Sequence, residues 1–354
     1  MSLKKVFNTL FAFSLISLNV VGQDLHFSQF YENAMMRNPG LTGIFTGDYR
    51  MGVNYRNQWS TISAPYQTYL ASAETRIGIS DETFDCISMG LNVTQDKAGS
   101  IDFISTQIYP TFCYNKSMQD PHHSYLSSGV TAGLIQRAID PSKMTFSSQY
   151  FGGTYNPGFP SGELLNQTKL TYFDVGAGVS FNSSLGDEGK YNYYIGAAAF
   201  HLNKPKAAFG NEAFVRMDVK FNGSLGLSCQ LNNEFGLISH FNYSIQGKYR
   251  ETIGGAMLCF RNYDDAKQLM FIVFGGLYYR VGDAVIPTFK LDYLNYTFTV
   301  SYDINSSSLK SVSKAQGGVE ISVFKRGFIY RKPWTEDKTH CPRFEQMILP
   351  NYEQ

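Results

Sequence analysis

The chain has 354 residues, a formal net charge of +1 and only 17% charged residues, a balance that excludes the strongly basic face a nucleic-acid partner requires. Its 24 Tyr, 28 Phe and 32 Gly against 2 Trp suit a transmembrane β-barrel or an exported β-sandwich, and composition alone does not separate the two. The apolar share of 43% is ordinary for a soluble protein.

The N-terminus reads as a secretory signal over residues 1–22. Lys4 and Lys5 give the positive start, Val6 to Val21 the mostly apolar stretch, and Val20 and Gly22 the small residues of a cleavage site. That run is shorter than the roughly 20 residues of a spanning helix. No Cys stands near the cleavage site to take a lipid anchor, and no later stretch approaches a spanning helix. The mature chain would begin at Gln23.

Residues 23–46 contain HFSQFYENAMMRNPGLTG, which fits neither a helical nor a strand period. Phe27, Phe30, Tyr31, Met35 and Met36 are costly to leave in water. The segment is therefore expected at the periplasmic rim of a barrel or inside its lumen as a partial plug.

From residue 47 the sequence alternates. Val215, Met217, Val219, Phe221, Leu225 and Leu227 interleave with Arg216, Asp218, Lys220, Asn222, Ser224 and Ser228. Soluble strands average about 5–6 residues, whereas a tilted membrane strand needs about 9–11. Runs of this kind fall at 47–59, 65–78, 84–95, 101–115, 124–138, 169–183, 190–203, 214–230, 234–245, 248–261, 267–280, 284–293, 295–304 and 315–325. The expectation is an all-β transmembrane antiparallel up-and-down barrel of about 14 strands over 47–325, followed by a tail over 326–354. An even count puts both chain ends on the periplasmic side. The long segments 139–168, 203–213 and 304–314 then all fall outside, and the tight turns at 231–233 and 294–295 inside.

Little in the sequence suggests chemistry. Four of the five Cys sit in strand-like runs without metal-ligand spacing; Cys341 lies in the polar tail. His240 is the one histidine that alternation turns into the lumen beside strand neighbours. Ser239, next to it, points to the opposite face and is no nucleophile for it. Arg50, Arg56, Arg216, Asp218, Lys220, Lys290, Asp292 and Glu320 are read as lumen charges of mixed sign, either salt-bridged or forming a selectivity ring. No metal, cofactor or catalytic residue is expected.

One family resemblance runs along nearly the whole mature chain. Asp24 with His26-Phe27-Ser28-Gln29, then Asn38-Pro39-Gly40-Leu41-Thr42-Gly43, then Tyr55-Arg56-Asn57-Gln58-Trp59 resemble the start of the PorP/SprF proteins of the Bacteroidetes type IX secretion system. KMTFSSQY (143–150), HLNKP (201–205), GGVEIS (317–322) and Cys341-Pro342-Arg343-Phe344 continue it in order. Each motif is weak alone; together, in the right order, they are strong. Gly40 stands where the family has Ala, and EQMILPNYEQ after Phe344 is an unexpected extension. The resemblance implies a non-enzymatic outer-membrane barrel accessory to type IX secretion or surface anchoring of partners such as adhesins, with gliding motility in some members. Its implied partners are outer-membrane lipid, type IX secretion components, secreted surface proteins and a periplasmic peptidoglycan-linked component. The candidate partner or plug residues are His26 to Tyr31, Asn38, Pro39, Arg56, Gln58 and Trp59; the candidate tail dock is Cys341 to Phe344, on a tail otherwise read as a solvated appendage. The alternative function is an outer-membrane channel for small or hydrophobic solutes.

Overall fold

The computed structural model describes residues 24–59, 64–80, 82–163, 167–186, 190–209, 215–266, 268–307, 316–329 and 344. The expected signal sequence and most of the tail lie outside these residues.

Fourteen antiparallel strands form one closed barrel. They are β1 (Tyr49–Gln58), β2 (Tyr66–Gly78), β3 (Cys86–Ala98), β4 (Phe103–Ser117), β5 (Tyr125–Ala138), β8 (Lys169–Leu185), β9 (Tyr191–Phe200), β10 (Lys220–Gln230), β11 (Phe235–Gln246), β12 (Tyr249–Tyr263), β13 (Leu269–Arg280), β14 (Ala284–Tyr293), β15 (Tyr296–Asn305) and β16 (Gln316–Gly327). Two short strands, β6 (Tyr150–Phe151) and β7 (Thr154–Tyr155), make a separate hairpin in the long connection between β5 and β8. Each barrel strand pairs with its chain neighbour, and β1 closes on β16 in unbroken register from Tyr49↔Gly327 to Gln58↔Gly318. Closure leaves no strand edge unpaired, which a wall in hydrocarbon requires.

Alternation sets the two faces. On β10, Phe221, Leu225 and Leu227 are exposed on the outside while Asn222, Ser224 and Ser228 are buried inside. On β8, Phe173 and Val179 face out and Asp174, Ser180 and Asn182 face in. An apolar outer belt over a polar interior inverts the arrangement of a soluble protein and marks a wall that meets lipid. Among the described residues no helix is long and apolar enough to cross a membrane; the strands cross it.

The connections are unequal at the two ends. One end carries 139–168, 201–219 and 306–315; the other carries 118–124, 186–190, 231–234 and 294–295, together with the start of β1 and the end of β16. These are called the loop end and the turn end.

The alternation overreaches in one strand. It predicts wall from residue 214, but β10 begins at Lys220. Residues 215–217 instead pair above the wall with the incoming loop, through the Lys206↔Arg216 bridge and hydrogen bonds from Ala207 N to Val215 O (3.2 Å) and from Met217 N to Pro205 O (3.0 Å). Arg216 and Asp218 are exposed there and are not lumen charges. A two-residue period reports extended backbone with two unlike faces, and a loop ladder satisfies it as well as a wall does.

Arginine placed at Leu225 or Val179 should destabilise the inserted barrel by about 2–4 kcal/mol if the site is near the bilayer midplane. Ser224→Ala, on the inward face, should cost little, because the hydroxyl it removes makes no hydrogen bond among the described residues. The measurement is reversible unfolding in detergent or lipid, and equal losses on both faces would reject the face assignment.

Candidate functional site

The lumen holds residues 24–46. They enter β1 at the turn end and run back through the barrel, so that Asp24 lies at the loop end beside Lys220, the first residue of β10, and His201, which follows β9. The expectation that both chain ends lie on one side is corrected here for the first described residues. The strand ends Tyr49 and Gly327 share the turn end, but residues 24–29 reach the opposite mouth because their polar partners are there.

The middle of the segment is a tight double turn, the one-turn helix α1 (Ala34–Arg37) followed by a 3-10 turn over Pro39–Leu41. Asn38 caps the second turn through Gly40 N–H to Asn38 Oδ1 (2.8 Å), and Pro39 supplies a preset φ where no N–H is needed. The same Asn38 donates from Nδ2 to Val179 O (2.9 Å), and Ser180 Oγ donates to Gly40 O (2.7 Å). This close approach depends on bare backbone in the wall. A Cβ added at Gly129, Gly178 or Gly196 would lie 2.2 Å from Pro39 O, 2.0 Å from Asn38 Oδ1 or 2.5 Å from Asn38 Nδ2. Three adjacent strands, β5, β8 and β9, thus each contribute a glycine to seat the Asn-Pro-Gly turn. Gly40 is itself tight: a Cβ there would lie 3.0 Å from the β8 backbone.

Toward the loop end the contacts are ionic. Glu320 accepts from Ser28 N (2.7 Å), Gln29 N (3.1 Å) and Asn54 Nδ2 (2.8 Å). Ser28 Oγ donates to Asp303 (2.6 Å), and Asp303 also pairs with Arg56 (2.9 Å) and Arg280 (3.3 Å). Arg56, fully buried, donates to His26 O at 2.8 Å. His26 lies 3.8 Å from Glu251; burial, with Arg280 and Arg56 nearby, holds its pKa well below the usual range, so the imidazole is neutral. Asp24 pairs with Lys220 (3.0 Å) and His201 (3.6 Å), and His201 is held from its other nitrogen by Asp174 at 2.9 Å. Tyr109 donates to the same Asp174 oxygen at 2.6 Å.

Next to these charges the contacts are aromatic, in a row that runs from Tyr278 near the loop end of β13 to Tyr194 near the turn end of β9. Tyr31 stacks between Tyr278 (4.9 Å between ring centres) and His240 (5.2 Å), with Phe30 edge-on to Tyr278 (5.5 Å). His240 is buried and meets Tyr194 Oη at 3.1 Å through Nδ1. Phe344, from the C-terminal tail, packs against Tyr194 (4.7 Å) and His240 (5.2 Å).

The sequence profile of the type IX secretion system membrane protein PorP/SprF matches residues 19–324. The chain belongs to the PorP/SprF family. Among curated proteins none matches it. Among solved structures it is similar to a FadL homologue of Pseudomonas aeruginosa (10% identity, TM-score 0.49, 82% of this chain and 93% of that one). It is also similar to the translocator domain of the autotransporter NalP from Neisseria meningitidis (9%, 0.43, 84% and 95%) and the toluene transporter TodX of P. putida (12%, 0.42, 84% and 95%). The family and the closed barrel place the protein in the outer membrane.

In this PorP/SprF barrel the motif residues have distinct placements. His26 to Tyr31, Asn38, Pro39 and Arg56 meet in the lumen. Gln58 and Trp59 sit at the loop-end rim, where Trp59 N bonds Gly317 O (2.9 Å) and the indole meets Tyr66 edge-on (5.1 Å). Of the expected lumen charges, Arg50 pairs with Glu74 (2.7 Å), Lys290 with Glu32 (3.1 Å) and Asp292 with Arg326 (3.3 Å). Cys341, Pro342 and Arg343 lie outside the described residues. Phe344 does not present itself outside the barrel, as a solvated tail or an open dock requires; its ring is buried in the lumen. Sequence reasoning missed the glycines that seat the Asn38 turn (Gly129, Gly178, Gly196) and the His201–Asp174 pair beside Asp24. Only the HLNKP match hinted at His201.

The seat gives one expected outcome. Alternation alone makes Gly178→Ser a mild lumen change, but the Asn38 contact makes it an overpacking of about 1–3 kcal/mol. It should leave the barrel inserted and loosen residues 36–42, read by protease clipping or by a spin label at Met36; an unmoved label would rule out the seat.

The loop-end latch gives another. Burial alone would lower the His201 pKa, but the hydrogen bond to Asp174 and the nearby charge of Asp24 overcome it and push it up to about 9. Burial alone would raise Asp24, but Lys220 and His201 hold it well below the usual carboxylate range. The His201 contribution is complete below the ordinary value of 6.5 and is lost as pH rises through about 9. The Asp24 contribution is present above 3.8 and is lost as pH falls below it. A nitroxide at Leu25 should gain mobility between about pH 7 and 10, and His201→Gln should flatten that dependence. An unchanged pH profile in the variant removes His201 from the latch.

Proposed function

We propose that this PorP/SprF barrel is a non-enzymatic accessory of type IX secretion, helping to export or anchor secreted surface proteins such as adhesins, with the turn end in the periplasm and the loop end outside. The observation that supports this reading over a solute channel is the filled lumen. Residues 24–46 span it from mouth to mouth. Two cavities beside them measure about 50 and 40 Å³, room for a few waters each. A surface that is closed to solutes but carries long connections on one side and a tail on the other is suited to holding partners. The outer connections include the β6–β7 hairpin, where Phe151 is 80% exposed, and the tail beyond Ile329 would meet periplasmic secretion or peptidoglycan-linked components.

Truncation after Ile329 is expected to leave the barrel inserted and to abolish surface display of type IX secreted proteins. Normal display by the truncated chain would remove the tail from the function. In planar bilayers the intact protein should be closed to small ions, and steady conductance or uptake of a labelled hydrophobic solute would favour the channel reading instead. An impermeant maleimide should label a cysteine placed at Phe151 in intact cells. Cys341 should react only after permeabilisation, and the reverse order would invert the topology.

A further inference from the structure

The larger cavity, about 50 Å³, lies on the turn-end side of α1, between the plug and the wall. Four cations line it: Arg37, Arg50, Lys290 and Arg326. Three have an acidic partner, Glu74 for Arg50, Glu32 for Lys290 and Asp292 for Arg326, at 2.7, 3.1 and 3.3 Å. Arg37 is different. It is 6% exposed, and among the described residues no carboxylate is within ion-pair distance of it. Its Nη1 donates to Tyr194 Oη (2.9 Å), its guanidinium lies over the rings of Phe30 (5.4 Å) and Tyr194 (5.8 Å), and its Nε has no hydrogen-bond partner. The ring faces give partial compensation, but a buried guanidinium without an acidic partner is an expensive arrangement unless an anion in the cavity completes it.

We propose that this cavity is an anion site whose ligand is a carboxylate, held by Arg37 on the plug against the aromatic wall of Tyr194, His240 and Phe344. The size fits: the volume holds a few waters or a single carboxylate group with a small apolar substituent, and no larger anion. The wall fits as well, because Phe344 and Tyr194 give an attached carbon chain apolar cover while Arg37 meets the charge. A carboxylate reaches this place from one of two sources. One is the chain itself, since Glu345 follows Phe344 directly in sequence. The other is solution, as a small free acid or the acidic side chain of a partner segment entering from the turn end.

The test uses the full-length protein in detergent and follows its thermal midpoint with acetate, or with acetamide as the neutral isostere, at matched ionic strength. A ligand that binds the folded state raises the midpoint by mass action. If the site takes its ligand from solution, acetate raises the midpoint of the unaltered protein and acetamide does not. If Glu345 fills it, the unaltered protein is insensitive and Glu345→Gln becomes acetate-sensitive. In either case Arg37→Gln in the responsive chain abolishes the difference between acetate and acetamide. The proposal is overturned if neither the unaltered protein nor Glu345→Gln distinguishes the two, which leaves Arg37 simply hydrated, or if the response survives Arg37→Gln. Should Arg37→Gln fail to insert, the acetate and acetamide comparison in the other two chains decides alone.

Discussion

The pairing of β1 with β16 is the contact on which everything else depends. In hydrocarbon each unpaired backbone N–H or C=O costs several kcal/mol, so a wall of strands is stable only when its two edges meet. The ten paired positions from Tyr49↔Gly327 to Gln58↔Gly318 satisfy that demand, and they bring the first and last strands together although they are far apart in sequence. Closure also fixes the size of the interior. About 8 strands make a barrel that its own side chains fill; more leave a lumen. Fourteen strands therefore create a space that must hold water, a path or a second layer of protein, and this chain fills it with its own N-terminal segment.

Filling a polar lumen with polypeptide changes the electrostatics of every inward residue. Arg56, Asp303, Glu320 and Lys290 would be solvated in an open pore; under the plug they are buried and must answer one another. A buried ion pair repays its desolvation only when the remaining hydrogen-bonding groups are also satisfied. That explains why Glu320 takes the backbone N–H groups of Ser28 and Gln29 as well as Asn54, and why Arg56 donates to the His26 carbonyl. The His-Phe-Ser-Gln stretch is thus a set of backbone and side-chain donors and acceptors matched to the wall charges.

The strands were legible because the two-residue period, enforced by lipid on one side and polar contacts on the other, is a local property of the chain. The fourteen runs agree with the observed strands within about three residues at most ends. Where the period continued without a lipid boundary, as at Arg216 and Asp218, the reading failed. Contacts between distant segments left weaker traces. Asn38-Pro39-Gly40 announces a turn, but nothing local says that Gly129, Gly178 and Gly196 are bare in order to receive it. Equally, an aromatic at position 344 reads as a tail residue until Tyr194 and His240 are seen around it. His240 itself was correctly turned inward by parity, while its stacking on Tyr31 depended on the path of the plug.

The plug is held by three kinds of force in sequence along its length, and they differ in what disturbs them. At the loop end, Asp24, Lys220, His201 and Asp174 form ionic contacts that change with protonation. In the middle, the Asn38 turn is held by neutral hydrogen bonds and by steric fit against three glycines, which neither salt nor ordinary pH affects. Between these two, Tyr31 with His240, Tyr194 and Phe344 makes an aromatic cluster whose strength depends on burial. A change of conditions outside therefore acts first on residues 24–29, and a movement of the tail acts first on the cluster around Tyr194. The charges and the rings are joined without passing through the seat, because Phe30 and Tyr31 follow Gln29 directly in the plug and Tyr278, stacked on Tyr31, stands just before Arg280 on β13.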